Sequence, residues 1–424
     1  MHTGRAAKLA MIAIGGQSVA YFLTVVLARQ LGVEGFEAYA VASAVFTLMV
    51  MLAPRGIEKY ALRLIPALVE RGDWGRARGF LRFGLKQTLG TSLLLGSLVC
   101  VWVQYFSDYS PFIKLAIIMS CLSLPTGALA HYYIEVLSAN GRDILAIAIF
   151  RVAVPTTVFI LVGLLLYLPV EVSGAMAVAC WGVAWTLALA AMVIQVRRTT
   201  KSQVWLSKPT EERHTWRKEA RPFFIYRISL ALLAQVGVIA LDRLHPSAAA
   251  VGAYVAAMST VNMALVIATS TNRFYARQLS ILLEQQDYAG VLELRRERLR
   301  WLLPVMAIFL VTVFYFGREI LGIFRPEFME EGLNALYLLS VSTTITVLFS
   351  LAPTYLKYKG HKRTMQRAVV SAAVIQAILL VLLVPSYAAT GAALAYTISM
   401  SGMYLAFALM AHRELVSLRS GGAA

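Results

Sequence analysis

Runs of about twenty apolar residues, separated by short polar stretches, recur along the whole of this 424-residue chain. A helix needs about 20 residues to cross roughly 30 Å of hydrocarbon, so each run predicts a transmembrane helix. Twelve such spans are predicted, at about 9 to 28, 36 to 54, 85 to 106, 112 to 138, 144 to 167, 172 to 196, 222 to 241, 248 to 270, 301 to 322, 332 to 353, 366 to 385 and 388 to 411.

Two polar, helix-forming passages interrupt this pattern in the same way, YALRLIPALVERGDW (60 to 74) and YARQLSILLEQQDY (275 to 288). At an offset of 215, Tyr39 falls on Tyr254, and Tyr60, Ala61, Leu64 and Leu68 fall on Tyr275, Ala276, Leu279 and Leu283. One residue of slippage then brings Asp73 and Trp74 onto Asp287 and Tyr288. SGAMAVA (173 to 179) matches TGAALAY (390 to 396) at offset 217, and the hairpin SANGRD (138 to 143) sits opposite KYKGHK (357 to 362) at offset 219. Offsets this close predict one unit used twice. Each unit has six spans, so both halves enter the membrane in the same sense and form a parallel repeat. The expected organisation is an N-terminal six-helix lobe over 1 to 196, a cytoplasmic linker over 197 to 221 and a C-terminal six-helix lobe over 222 to 424. Each repeated passage reads as a connector helix on the inner surface, with Leu62, Ile65 and Val69 on the apolar side and Arg63, Glu70 and Arg71 toward water.

Composition agrees with this class. Apolar residues make up 59% of the chain and charged residues 14%, which places it among all-α integral membrane proteins. The net charge of +17 does not call for nucleic acid. With the N-terminus inside, 32 of the 39 Lys and Arg residues fall on inner segments, five outside and two within spans. That asymmetry sets the orientation and needs only anionic membrane lipids as partners. The first run is about 19 residues and ends in LARQLGVEG without a small-residue cleavage site, so it reads as an uncleaved span. Cys100, Cys121 and Cys180 lie within spans and have no metal-ligand spacing, so no metal site is expected.

Several stretches carry a family resemblance: LARQLGVEGFEAYAVA (27 to 42), RLIPALVERGDWGRARGFLR (63 to 82), LDRLHPSAAAVGAYVAA (241 to 257) and TGAALAYTIS (390 to 399). Together they resemble the polysaccharide flippases of the multidrug/oligosaccharidyl-lipid/polysaccharide exporter superfamily. The resemblance implies two six-helix lobes forming a V around a central cavity. It also implies alternating-access transport of a polyprenyl-diphosphate-linked oligosaccharide from the cytoplasmic to the outer leaflet of the inner membrane. No cofactor is expected; a proton or sodium gradient is the candidate coupling ion, and polysaccharide polymerase and export machinery are candidate partners.

A diphosphate carries roughly two negative charges and would need two or three cations in a low-dielectric cavity. Arg151 lies eight residues beyond Asp143, about 12 Å into the membrane, where snorkelling is difficult, and Pro155 one turn on disturbs the helix. Its alternative role is pairing with Glu135. Arg227 is six residues past Arg221 and reads equally as a ligand or an interfacial arginine. Arg55, within the breaking sequence APRG, forms a basic ladder with Lys59 and Arg63, and Arg273 ends the corresponding span of the second half. These read as anchors at the inner surface or as groups attracting the diphosphate. His131 and Glu135 share a face of span 4 level with Arg151, as a proton relay or as part of a fixed ion pair. An enzyme is disfavoured, because the longest outer loop (317 to 332) is short and no H-E-x-x-H, P-loop or G-x-S-x-G sequence occurs. A cation-coupled drug or metabolite antiporter on the same fold is the alternative function, and it would rely on acids and aromatics.

This topology predicts that a cysteine placed at position 210 stays unlabelled by an impermeant thiol reagent added outside the cell. Efficient labelling there would overturn both the orientation and the parallel repeat.

Overall fold

The protein is described by a computed structural model covering residues 2–169 and 171–421, with side chains over 11–169, 171–268, 271–272 and 274–418. Among the described residues there are helices and no strands. The first half comprises α1 (His2–Leu52), α2 (Ile57–Glu70), α3 (Trp74–Phe106), α4 (Pro111–Ala139), α5 (Asp143–Ala148), α6 (Val154–Tyr167) and α7 (Gly174–Thr199). A π-helical turn, Ile149–Ala153, joins α5 to α6. There follow α8 (Ser202–Leu206), α9 (Arg213–Leu244), α10 (Ala248–Glu284), α11 (Tyr288–Phe324), α12 (Phe328–Phe349), α13 (Ala352–Tyr358) and α14 (Lys362–Gly421).

Ten described stretches are long and apolar enough to cross a membrane. Two of them, Met11–Glu70 and Lys362–Leu418, run to 60 and 57 residues, and each holds two of the predicted spans. Bends at Gly32 (φ 71°) and Ala388 (φ 46°) divide these pairs, so the ten stretches accommodate all twelve predicted runs. Side chains that would begin these helices do so: Asp73, Ser110, Ser173, Ser247 and Asp287 each accept a hydrogen bond from a backbone N–H three residues on. Large apolar side chains such as Leu94, Trp102, Phe106, Ile308 and Leu382 are left exposed, as a chain surrounded by lipid requires.

The repeat is written in the backbone. After α2, Gly72 N–H bonds to Val69 O and Asp73 N–H to Leu68 O; after α10, Gln286 N–H bonds to Leu283 O and Asp287 N–H to Leu282 O, each 214 residues later. Gly72 and Gln286 both have positive φ, and Asp73 and Asp287 then cap the next helix. After α4, the N–H groups of Asn140, Gly141 and Arg142 bond to Val136, Ser138 and Leu137. After α13, those of Lys359, Gly360 and His361 bond to Tyr355, Lys357 and Leu356, every partner 219 residues on.

The halves differ at the expected connector. In the first, APRG forms a turn between α1 and α2, whereas α10 runs unbroken through the equivalent point. The second-half connector is therefore not a separate helix. The cause is local: the positions equivalent to Pro54, Arg55 and Gly56 are Thr269, Ser270 and Thr271, which offer neither a proline nor a glycine. On α2 the buried stripe is Ile57, Ala61, Ile65 and Leu68, with Arg63, Glu70 and Arg71 in the open as expected and Leu62 exposed beside them.

Contacts group the chain into two compact units, Met1–Val25 with Ala240–Ala424, and Val26–Ile239. In the second, α4 packs along α7, and the charged segment after α7 is docked on α3. Arg76 donates to Glu212 at 2.6 Å, Arg78 to Ser207 O at 2.7 Å, and Thr210 N–H to Gly75 O at 3.0 Å. Trp216, 1% exposed, sits against Phe80 and Phe83 at centroid separations of 5.3 and 5.5 Å. In the first unit α12 packs against α10 and α14 around a core that includes Ala264, Ala268, Leu302, Met306 and Val347.

Candidate functional site: a buried charge cluster in the unit Val26–Ile239

The cluster begins at the break between α1 and α2. Pro54 interrupts the helix, and Arg55 and Gly56 take left-handed conformations (φ 54° and 82°). Gly56 is indispensable here, because a Cβ would lie 2.5 Å from Ala220 O and 2.7 Å from Phe224 N of α9. The close approach carries Arg227, one turn along α9, over the first turn of α2. Its Nε lies 3.4 Å from Oε1 of Glu58, whose side chain is completely buried. Among the described residues neither Glu58 oxygen nor Arg227 Nε has a side-chain hydrogen-bond partner, so charge is the main tie within the pair. The next residue, Lys59, donates to Glu135 of α4.

One turn earlier on α4, His131 Nδ1 donates to Gly127 O at 2.9 Å, since a carbonyl can only accept; this fixes the ring tautomer. Phe150 and Trp185 flank the imidazole at centroid separations of 5.3 and 4.9 Å. Arg151 follows Phe150 in the π turn, exposed, with its guanidinium 5.4 Å from the Phe150 centroid. The turn widens because Pro155 lacks the N–H that Arg151 O would accept four residues on, and Val154 N–H bonds instead to Ile149 O, five residues back.

Five of the predicted residues thus belong to one neighbourhood, with pairings other than those expected. Glu135 pairs with Lys59 rather than Arg151. The ladder of Arg55, Lys59 and Arg63 does not form, since Arg55 lies exposed in the turn while the other two are on α2. The side chain of Arg273 lies outside the described residues. Glu58 escaped the sequence reading, although asking which acid could neutralise an arginine inside span 7 would have led to the carboxylate two residues past the break. Arg298 escaped too: counted among the inner basic residues, it is 2% exposed inside the other unit. Among the described residues no cluster of His, Cys, Asp and Glu is disposed to hold a metal.

This arrangement sits on a known scaffold. The chain is similar to a multidrug resistance MATE family transporter of the MOP superfamily in its inward-facing conformation, with 13% identity, a TM-score of 0.74 and coverage of 95% of this chain and 96% of that one. It is also similar to a MOP superfamily transporter from Pyrococcus furiosus at 12% identity, a TM-score of 0.62 and coverage of 98% and 96%. A Vibrio cholerae MATE transporter matches at 14% identity, a TM-score of 0.63 and 98% of each chain. The protein therefore has the all-helical fold of the MOP superfamily. Among curated proteins none matches the chain. The polysaccharide biosynthesis protein family matches residues 6–273, and the chain belongs to it.

Removing one partner of the Glu58–Arg227 pair leaves a buried charge exposed to a low dielectric, a loss of about 3–5 kcal/mol. Arg227→Gln alone is expected to lower the yield and thermal midpoint of the protein in detergent, and Glu58→Gln with Arg227→Gln to recover most of both. No recovery in the double variant would show that the two charges do not depend on each other.

Proposed function

We propose that this protein is a flippase that moves a polyprenyl-diphosphate-linked oligosaccharide from the cytoplasmic to the periplasmic leaflet of the inner membrane by alternating access, with both termini in the cytoplasm. The family supports a polysaccharide cargo, and the fold supports transport rather than catalysis. The observation that carries the reading to a diphosphate is Arg151, an exposed guanidinium inside the apolar stretch Asp143–Tyr167. A charge kept at that depth is costly and marks a substrate path. Its planar fork matches the oxygens of a phosphate.

Arg227 and Lys59 join Arg151 by exchange. Both are neutralised by carboxylates, Glu58 and Glu135. A diphosphate arriving at the cluster competes for the two cations, and a carboxylate that loses its partner in a low dielectric takes up a proton. Cargo binding and proton uptake are then one event, and proton release follows when the pairs re-form. His131, hydrogen-bonded to Gly127 through Nδ1, keeps its second nitrogen for passing that proton on. Arg55 and Arg273 attract the diphosphate at the membrane surface, and polymerase and export machinery receive the cargo.

The second reading, a cation-coupled drug or metabolite antiporter, draws on the same cluster, whose two carboxylates could meet a cation and whose Phe150 and Trp185 lie close together at 5.8 Å. Native mass spectrometry of purified protein separates the two. A co-purifying polyprenyl diphosphate supports the flippase, and its absence from active preparations sinks it.

Two expectations follow for transport, read by complementation of polysaccharide export with membrane abundance measured alongside. Arg151→Lys should keep part of the activity and Arg151→Gln almost none; full export by Arg151→Gln at normal abundance would remove Arg151 from the path. Glu135→Gln should flatten the pH dependence of transport, because the group that takes the proton is gone. A pH profile identical to that of the unmodified protein would exclude Glu135 from coupling.

A further inference from the structure

A cavity of about 40 Å³ lies inside the unit Met1–Val25 with Ala240–Ala424, bounded by α10 to α14. Its lining is apolar, including Leu279, Leu299, Leu348 and Leu415, apart from Arg295, Arg298 and Tyr355. Arg298 Nη2 donates to Asn272 Oδ1 at 2.8 Å, to Ser350 Oγ at 2.7 Å and to Val347 O at 3.4 Å. All three acceptors are neutral. Among the described residues Arg298 Nε and the Tyr355 hydroxyl have no partner, although the two residues are only 2% and 3% exposed. Among the described residues neither Arg298 nor Arg295 forms a salt bridge. Glu414 acts on Tyr355 but is paired with His361 at 3.1 Å and lies outside the lining.

The repeat supplies an internal comparison. At the offset of 214 that relates the turns after α2 and α10, Arg298 corresponds to Gly84, and at the offset of 219 Leu351 corresponds to Tyr132. In the first half the Tyr132 hydroxyl lies against Gly84 and donates to Leu81 O at 3.3 Å, closing the space. In the second, leucine replaces the tyrosine, arginine replaces the glycine, and a cavity remains. Neutral oxygens alone are an expensive setting for a buried guanidinium, and two unsatisfied donors around an open space are what an anion would complete.

We propose that Arg298, Arg295 and Tyr355 bind the phosphate of an anionic amphiphile whose apolar chain extends out of the cavity. The volume admits about three water-sized groups, enough for phosphate oxygens and too little for a sugar. The site lies in the unit that does not hold the Glu58 cluster, and the proposal is independent of the transport reading.

The test uses the full-length protein, delipidated in detergent and offered phosphatidylglycerol or polyprenyl monophosphate, with binding followed by native mass spectrometry. Diacylglycerol serves as the tail without the phosphate, and inorganic phosphate as the phosphate without the tail. The protein should retain one phosphatidylglycerol or polyprenyl monophosphate, and whichever is held more tightly identifies the source as bulk lipid or carrier lipid. Arg295→Gln with Tyr355→Phe should weaken that binding by about tenfold or more, the loss expected for charge-assisted hydrogen bonds. Neither substitution breaks a hydrogen bond within the described protein, so the lipid-free thermal midpoint should stay unchanged; Arg298→Gln should weaken binding further. Diacylglycerol held as tightly as the phosphate lipids would overturn the proposal. So would undiminished binding by the double variant, or inorganic phosphate bound as tightly as the lipids.

Discussion

Glu58 has no exposed surface, and a buried carboxylate must be charge-compensated or neutral. Much of the unit Val26–Ile239 is arranged around that requirement. Its cation comes from α9, and it arrives because α9 crosses the chain at Gly56, where only hydrogen fits. Gly56 is free to accept the crossing because Pro54 has already ended the helix, and the same break sets Lys59 toward Glu135 on α4. A larger residue at position 56 would push α9 away and strand Glu58. The APRG sequence, Arg227 and the α4 carboxylate are thus consequences of one electrostatic condition.

The helices and the duplication were legible because both are repetitive signals. Apolar run length reports spans directly, and the conserved turn geometry after α2 and α4 recurs at the offsets the residue matches suggested, 214 and 219. Pairing was not legible. Glu135 could be placed one turn from His131 by helical spacing, but its partner came from a helix 76 residues earlier in sequence, where no local pattern points. Arg298 was misread for a related reason: its neighbours Arg295, Arg296 and Arg300 look like an inner-surface basic patch, and only packing against Asn272 of α10 and Ser350 after α12 shows that residue 298 is buried. Periodicity assigns faces within a helix, while tertiary packing decides which faces meet.

The two halves also show what duplication preserves and what it releases. The turns after α2 and α4 and the Asp73 and Asp287 caps recur with the same hydrogen bonds, although the APRG break does not. Side-chain chemistry has diverged. Tyr39 receives a hydrogen bond from Trp181 at 3.0 Å, whereas its counterpart Tyr254 has a buried hydroxyl without a hydrogen-bond partner among the described residues. Tyr275 receives one from Trp301 at 2.9 Å, whereas its counterpart Tyr60 packs edge-on against Phe80. The shared turns hold the backbone, and the interior is free to specialise.

That freedom has produced two different kinds of buried charge. Arg298 is held by Asn272, Ser350 and a carbonyl, none of which titrates in a working pH range, so its surroundings keep the same charge throughout. Arg227 and Lys59 are held by carboxylates, whose charge disappears on protonation. A cation held by neutral dipoles is a fixed feature of its unit, suited to retaining an anion. A cation held by a carboxylate can be released at the cost of one proton, which makes its availability depend on proton supply. Both carboxylate-held cations lie in the unit Val26–Ile239, and the cation held by neutral dipoles lies in the other.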